Sequence, residues 1–233
     1  MTGKLIVIEG TDCSGKETQS RLLKERLIKE GYKVERLSFP MYDTPTGKII
    51  GACLLGKPAM CEELLNVNHS FFPEGGGNVD ALAALCYYAA DRRYNLPIIN
   101  KYLEEGYILI VDRYVTSNMA HRGGMIKDKE ERIKMYQKIE TLEYDLMELP
   151  RPHQVLFLYM PYLYACKLKQ NRKEAPDEAE KNSTYLHLGE QAYLELANLY
   201  QFDTIECVRD EQIRTIEEIN DDILIRIRKI IEK

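Results

Sequence analysis

A chain of 233 residues, 45% apolar and 30% charged with no Trp, is long enough to bury one large core and has the composition of a soluble globular protein. Its formal net charge of -5 gives no reason to expect duplex nucleic acid or an anionic membrane as partner, although a local basic pocket can still take an anionic small molecule. Six scattered cysteines (13, 53, 61, 86, 166, 207) form no C-x-x-C and no metal-ligand spacing, and no apolar run could span a bilayer; a reduced, cytoplasmic protein is expected.

The first β-rich run, 4–9, starts without a signal-peptide pattern and leads into "GTDCSGK", residues 10–16, which fits G-x-x-x-x-G-K. A helix is predicted next from Leu22, Leu23, Leu27 and Ile28, with Gly31 as its C-cap. Strand, loop and helix in this order make a phosphate cradle. Backbone N–H groups around Gly10, Cys13, Ser14 and Gly15 converge with the helix N-terminus on phosphate oxygens, and Lys16 adds a full charge. The following position, normally a Ser or Thr on magnesium, is Glu17. A carboxylate there can ligate magnesium directly or through water, and it suits the positive end of a helix. Without a metal between them, it would repel a polyphosphate by several kcal/mol at contact range, on the order of the short-range Coulomb energy. The other reading turns Glu17 to solvent and puts a water in the hydroxyl's place. Thr18 is no simple substitute, because one residue along a helix rotates the side chain by about 100°.

A second strand, 34–39, ends in "SFPMYDTPTG", presenting Phe39 and Tyr42 at the sheet's edge. A Gly-rich loop, 69–78, precedes a long helix expected from near Asn78. Tyr88 and Arg92 lie four apart on that helix, where they either stack on and read a planar base or form a surface cation–π pair. The strand at 107–112 places Asp112 at its C-terminal end, where open parallel sheets bind ligands. Beside a phosphate loop an acid there is the expected magnesium-side carboxylate, and Arg113 could fork onto a second phosphate; a helix cap plus a surface ion pair is the plainer alternative. Met135, Ile139, Leu142 and Leu146 carry helical spacing, as do Ile216, Ile219, Ile223, Ile227 and Ile230. Further strands are predicted at 154–160 and 204–208, and the charged, core-poor stretch 171–183 reads as a flap. Alternating strands and helices predict an α/β fold of the P-loop NTPase type, three layers α/β/α around a five-stranded parallel sheet, in one domain over 1–233 with a small lid at 171–183.

These motifs together resemble the thymidylate kinase family over almost the whole chain. The opening pattern E-G-x-D-G-x-G-K-[ST]-T-Q is matched by Glu9, Gly10, Asp12, Gly15, Lys16, Thr18 and Gln19. F-P-R-Y…P-x-G is matched by Phe39, Pro40, Tyr42, Pro45 and Gly47, and an aromatic followed by A-x-D-R by Tyr88, Ala89, Asp91 and Arg92. D-R-Y-x-x-S-x-x-A is matched by Asp112, Arg113, Tyr114, Ser117 and Ala120. The resemblance implies transfer of ATP's γ-phosphoryl group to dTMP with Mg²⁺, and a homodimer packed through helices, for which the apolar face of 81–89 is suited. It implies that residues 13–18 with Gly10 bind ATP, and that Glu17 and Asp112 face the metal. Asp12 would contact the acceptor nucleotide. Arg113 and Tyr42 would hold its phosphate beside Phe39 and Pro40, while Tyr88 stacks on thymine, Arg92 reads its edge and Asn118 contacts the base. Cys13 replaces a loop Gly, Met41 a frequent Arg, and His121 stands where a Tyr or Phe often guards the sugar's 2′ side. The family supplies a charge-neutralising Arg from the loop or the lid; residues 11–14 contain none, so Arg172 is the candidate, with an exposed helix-end charge as the alternative.

The acceptor's chemistry can be argued separately. A sugar hydroxyl must lose a proton, so a nucleoside kinase needs a carboxylate just after the second strand, where this chain has Phe-Pro-Met-Tyr and reaches Asp43 only later. A phosphate acceptor is already ionised and needs cations, which Arg113, Arg92 and Arg93 supply. A GTPase switch lacks its D-x-x-G and N-K-x-D motifs here. A catalytically silent nucleotide-binding regulator, or a kinase for another nucleoside monophosphate, stays open at this level.

Overall fold

A computed structural model of the chain describes residues 3–11, 13–67, 71–72, 74–170 and 183–232, without the side chains of 169–170 and 183–185. Asp12, Arg172 and the lid segment 171–182 therefore lie outside the described residues. In chain order the elements are β1 (Lys4–Gly10), α1 (Lys16–Lys29), β2 (Val34–Ser38), α2 (Pro45–Ile49), α3 (Pro58–Leu65), α4 (Ala81–Tyr94), α5 (Leu96–Glu104) and β3 (Ile108–Asp112). They continue with α6 (Val115–Asn118), α7 (Lys129–Glu140), β4 (Gln154–Tyr159), α8 (Tyr162–Gln170), α9 (Ser183–Leu199), β5 (Asp203–Glu206), the short pair β6 (Val208–Arg209) and β7 (Gln212–Ile213), and α10 (Ile216–Ile231).

Strands β1 to β5 form one parallel sheet in the order β2-β3-β1-β4-β5. Its central strands β1, β3 and β4 are apolar at nearly every position because both faces are covered, whereas the edge strands β2 and β5 are mixed. Alternation sends Leu5, Val7, Leu109 and Val111 to a core shared with Leu85, Ile99, Tyr193 and Leu196. Ile6, Ile8, Ile110 and Leu158 face the other way, onto Leu23 and Leu27 of α1 and Ile219, Ile223 and Ile227 of α10. The strand reversal point between β1 and β3 puts the C-terminal ends of both beside the loop before α1, where such sheets open a crevice for ligands.

Several boundaries differ from the sequence reading for local reasons. The helix expected from Asn78 begins at Ala81, because the Asp80 side chain accepts from the N–H groups of Leu82 and Ala83 and caps it there. The run 204–208 is not one strand: β5 stops at Glu206, and Val208 opens a hairpin turned by Asp210 and Glu211, both at positive φ. The pattern from Met135 to Leu146 is helical only to Glu140, then widens into a π-helical turn, Thr141–Leu146, which leaves Leu146 exposed and Glu143 fully buried.

Candidate active site

The loop between β1 and α1 closes as a cradle. Gly15 sits at φ +83, a left-handed conformation that L side chains rarely adopt, immediately ahead of the first turn of α1. Gly10 has no room for a side chain, since a Cβ there would lie 2.5 Å from Ser14 Oγ and 2.8 Å from the Leu158 carbonyl. Cys13 also lies at positive φ, so the residue standing in place of the motif's glycine keeps a glycine-like backbone. Lys16 is buried, and its ammonium donates to the Gly10 and Thr11 carbonyls at 2.8 and 2.7 Å. Thr11 in turn donates to the Met160 carbonyl at the end of β4. Glu17 is exposed on the first turn of α1, and Thr18 is half-buried. Gln19 is a strut rather than a site residue: it donates to the Ile216 carbonyl and accepts from Asn220, fastening α1 to α10.

Asp112 lies where expected at the end of β3, but it is not free. Arg36 of β2 donates to its Oδ2 at 3.1 Å and, through Nε, to Ser20 Oγ at 2.6 Å, while Ser20 donates to the Glu17 carbonyl. Both partners of the ion pair are largely buried, with side-chain exposures of 21% for Arg36 and 7% for Asp112. The next residue, Arg113, adopts φ +65 and brings Nη1 to 3.1 Å from His121 Nε2.

The segment after Asp112 is organised by Glu9, a fully buried carboxylate on β1. It accepts from the Tyr114 N–H at 2.9 Å, from the Thr116 and Ser117 hydroxyls, and from Tyr193 OH at 2.9 Å. Four donors satisfy the charge that burial would otherwise penalise. Tyr193 stacks on Phe157, and burial together with the Glu9 charge holds its phenol well above the ordinary value. A cleft beside the loop is lined by Thr11, Cys13, His121, Tyr162, Cys166 and Tyr193.

Of the two readings for Tyr88 and Arg92, the surface cation–π pair is not the one formed. The guanidinium over the Tyr88 ring belongs to Arg122, 5.5 Å from its centroid, whereas Arg92 is 2% exposed and gripped two-pronged by Glu143. Burial disfavours the Arg92 charge, but attraction and hydrogen bonds to Glu143 outweigh it and raise its pKa further. Asn118 Nδ2 donates to the same carboxylate at 2.7 Å. Glu143 thus fixes both residues expected to read a base, and nothing in its local sequence pattern announced it. Asp91 anchors the segment after β2, accepting from the Met41 N–H and the Thr46 hydroxyl. In that segment Tyr42 carries Lys57 5.0 Å over its ring. The Phe39–Pro40 peptide is cis, and Phe39 packs in the core against Tyr114.

A parallel sheet with a glycine-turned lysine loop at its reversal point, a buried acid on the neighbouring strand and arginines around the crevice define a P-loop nucleotide kinase. The thymidylate kinase family model matches residues 8–223. The chain is 30% identical over 223 residues to a probable thymidylate kinase of Thermococcus onnurineus, covering 94% of each chain. It is 29% identical to thymidylate kinase of Plasmodium falciparum over 98% of this chain and 91% of that one. Against the human thymidylate kinase it is 31% identical over 71% of this chain and 65% of the human protein. The fold is that of thymidylate kinase from Candida albicans, with a TM-score of 0.71 at 24% identity over 98% of this chain and 92% of that one. The chain belongs to the thymidylate kinase family: it is an ATP-dependent nucleoside monophosphate kinase whose reaction moves the γ-phosphoryl group of ATP to dTMP.

Proposed function

We propose that residues 10–18 hold the phosphates of ATP, with Lys16 turning from its own loop's carbonyls to the β- and γ-phosphates, and that dTMP binds against Tyr88, Arg92 and Asn118. The observation that carries this reading is the convergence of Arg92 and Asn118 on buried Glu143, which fixes two donor side chains into one wall. Such a wall suits a flat base with carbonyl acceptors. Arg113, steadied by His121, takes the acceptor's phosphate, with Pro40 and Tyr42 closing the same end. Asp12 and Arg172 keep the acceptor-contact and charge-neutralising roles the resemblance implies, and both lie outside the described residues. The chain works as one kinase domain with its lid at 171–183.

A phosphate acceptor is already ionised, so the protein has no proton to remove. Its task is to align the two nucleotides in line and neutralise charge at the transferring group, without a covalent intermediate. Magnesium fits the donor chemistry: it takes oxygen ligands, one or two of them carboxylates, together with substrate phosphates. Glu17, exposed on the first turn of α1, offers such a carboxylate, and Asp112 stands behind it. Bound there, the ion would neutralise charge on the phosphates. The exposed side chains of Leu82, Cys86 and Tyr87 on α4 support a homodimer through that face, and six cysteines outside any disulfide suit the cytoplasm.

The test is selective. Losing a stacked base costs about 1–3 kcal/mol, so Tyr88→Ala should raise KM for dTMP roughly 5- to 150-fold and leave KM for ATP unchanged. An unaltered dTMP KM would remove Tyr88 from the base site.

A further inference from the structure

The resemblance assigns both Glu17 and Asp112 to the metal side, yet the two carboxylates have different surroundings. Asp112 is nearly buried and already receives a charge-assisted hydrogen bond from Arg36. Arg36 is itself pinned. It sits on β2 opposite Ile110, on the sheet face covered by α1, and its Nε donates to Ser20 Oγ at 2.6 Å. Ser20 also donates to the Glu17 carbonyl, and positions 17 and 20 share a face of α1. Arg36 therefore lies under the same helix face that carries Glu17, bound to the acid on one side and the helix on the other. A Walker loop with Thr at position 17 brings one carboxylate to this corner; this chain brings two and adds one guanidinium.

The geometry points to Arg36 as a positioning residue that holds Asp112 away from the metal, so that Glu17 is the carboxylate magnesium uses. This rests on the magnesium reading above. Arg36 cancels the charge that Glu17 adds, and the corner keeps the net charge of a Thr–Asp pair. A metal approaching Asp112 would have to displace an anchored arginine, whereas Glu17 is exposed on the helix's first turn. The position usually taken by a hydroxyl becomes the anionic ligand, and the usual acid becomes part of the scaffold.

The readout is the factor by which Mg²⁺ tightens ATP binding, measured by calorimetry on the full chain in magnesium and in EDTA. In the unaltered background, Glu17→Gln should reduce that factor about tenfold or more, and Asp112→Asn should leave it within about twofold. In an Arg36→Met background the dependence should move, with Asp112→Asn now reducing the factor; Arg36→Lys, which keeps the cation, should restore the first pattern. A purely structural Arg36 would not change which carboxylate matters. An Asp112→Asn effect equal to that of Glu17→Gln in the unaltered background overturns the proposal, and that comparison holds even if Arg36→Met fails to fold. If magnesium does not tighten ATP binding to the unaltered protein, the metal reading itself fails, and this inference with it.

Discussion

Glu143→Ala strikes the most buried ion pair of the site. Arg92 is 2% exposed and Glu143 is 0% exposed, and the carboxylate also receives Asn118. Removing it leaves a guanidinium in the core with neither counter-charge nor solvent. For a pair buried to this degree the loss is about 3–5 kcal/mol, more than an exposed bridge's typical ~1 kcal/mol or less. In a chain of this size each kcal/mol shifts Tm by about 2–4 °C, which gives a drop of roughly 6–20 °C in a thermal melt. A second variant separates packing from recognition. Arg92→Met with Glu143→Leu removes both charges, and an apolar replacement of a buried pair is often neutral. That protein should regain most of the lost stability but keep a raised KM for dTMP, because the guanidinium proposed to read the base is gone. A Glu143→Ala melt within 2 °C or so of the parent would refute the burial argument. A double variant with both stability and dTMP affinity restored would refute the recognition argument.

Three further outcomes follow from the same geometry. Lys16→Met should lower kcat/KM for ATP by about a hundredfold or more, since the cation proposed for the transferring phosphates is lost, while calorimetry still detects dTMP binding. Gly10→Ala forces a methyl against Ser14 Oγ and the Leu158 carbonyl; overpacking of this kind costs about 1–3 kcal/mol in urea unfolding and should weaken ATP binding. Glu195 is held below the usual carboxylate value by its hydrogen bond from Arg132, against the opposing effect of burial. A depressed folded pKa stabilises above the unfolded value and loses that contribution as pH falls through it. Arg132→Met should therefore cost about 1–3 kcal/mol at neutral pH, and the difference from the parent should shrink in the acid range below 4.5.

What the sequence could show follows from the range of each interaction. The central strands were legible because each is a short apolar run, and the phosphate loop because its residues are neighbours in the chain. Tyr88 and Arg92 were correctly placed on one helix, but their partners were not readable. Arg92 pairs with a residue 51 positions away and Arg36 with one 76 away, while Glu9 meets Tyr193 across 184. Such pairs leave no periodicity behind. Glu143 was hidden further, lying in a run whose apolar spacing at Leu142 and Leu146 drew attention to the wrong side chains. Glu17 was visible at once as an odd residue in a motif, but its significance depends on where Asp112 is tied.

With Glu17 in its loop, this chain is expected to be an active dTMP kinase. Coupled measurement of ADP release from ATP with dTMP and with each other nucleoside monophosphate, in the presence and absence of Mg²⁺, tests it directly. Magnesium-dependent turnover that is fastest with dTMP is the expected result. ATP that binds while no monophosphate is turned over would contradict it.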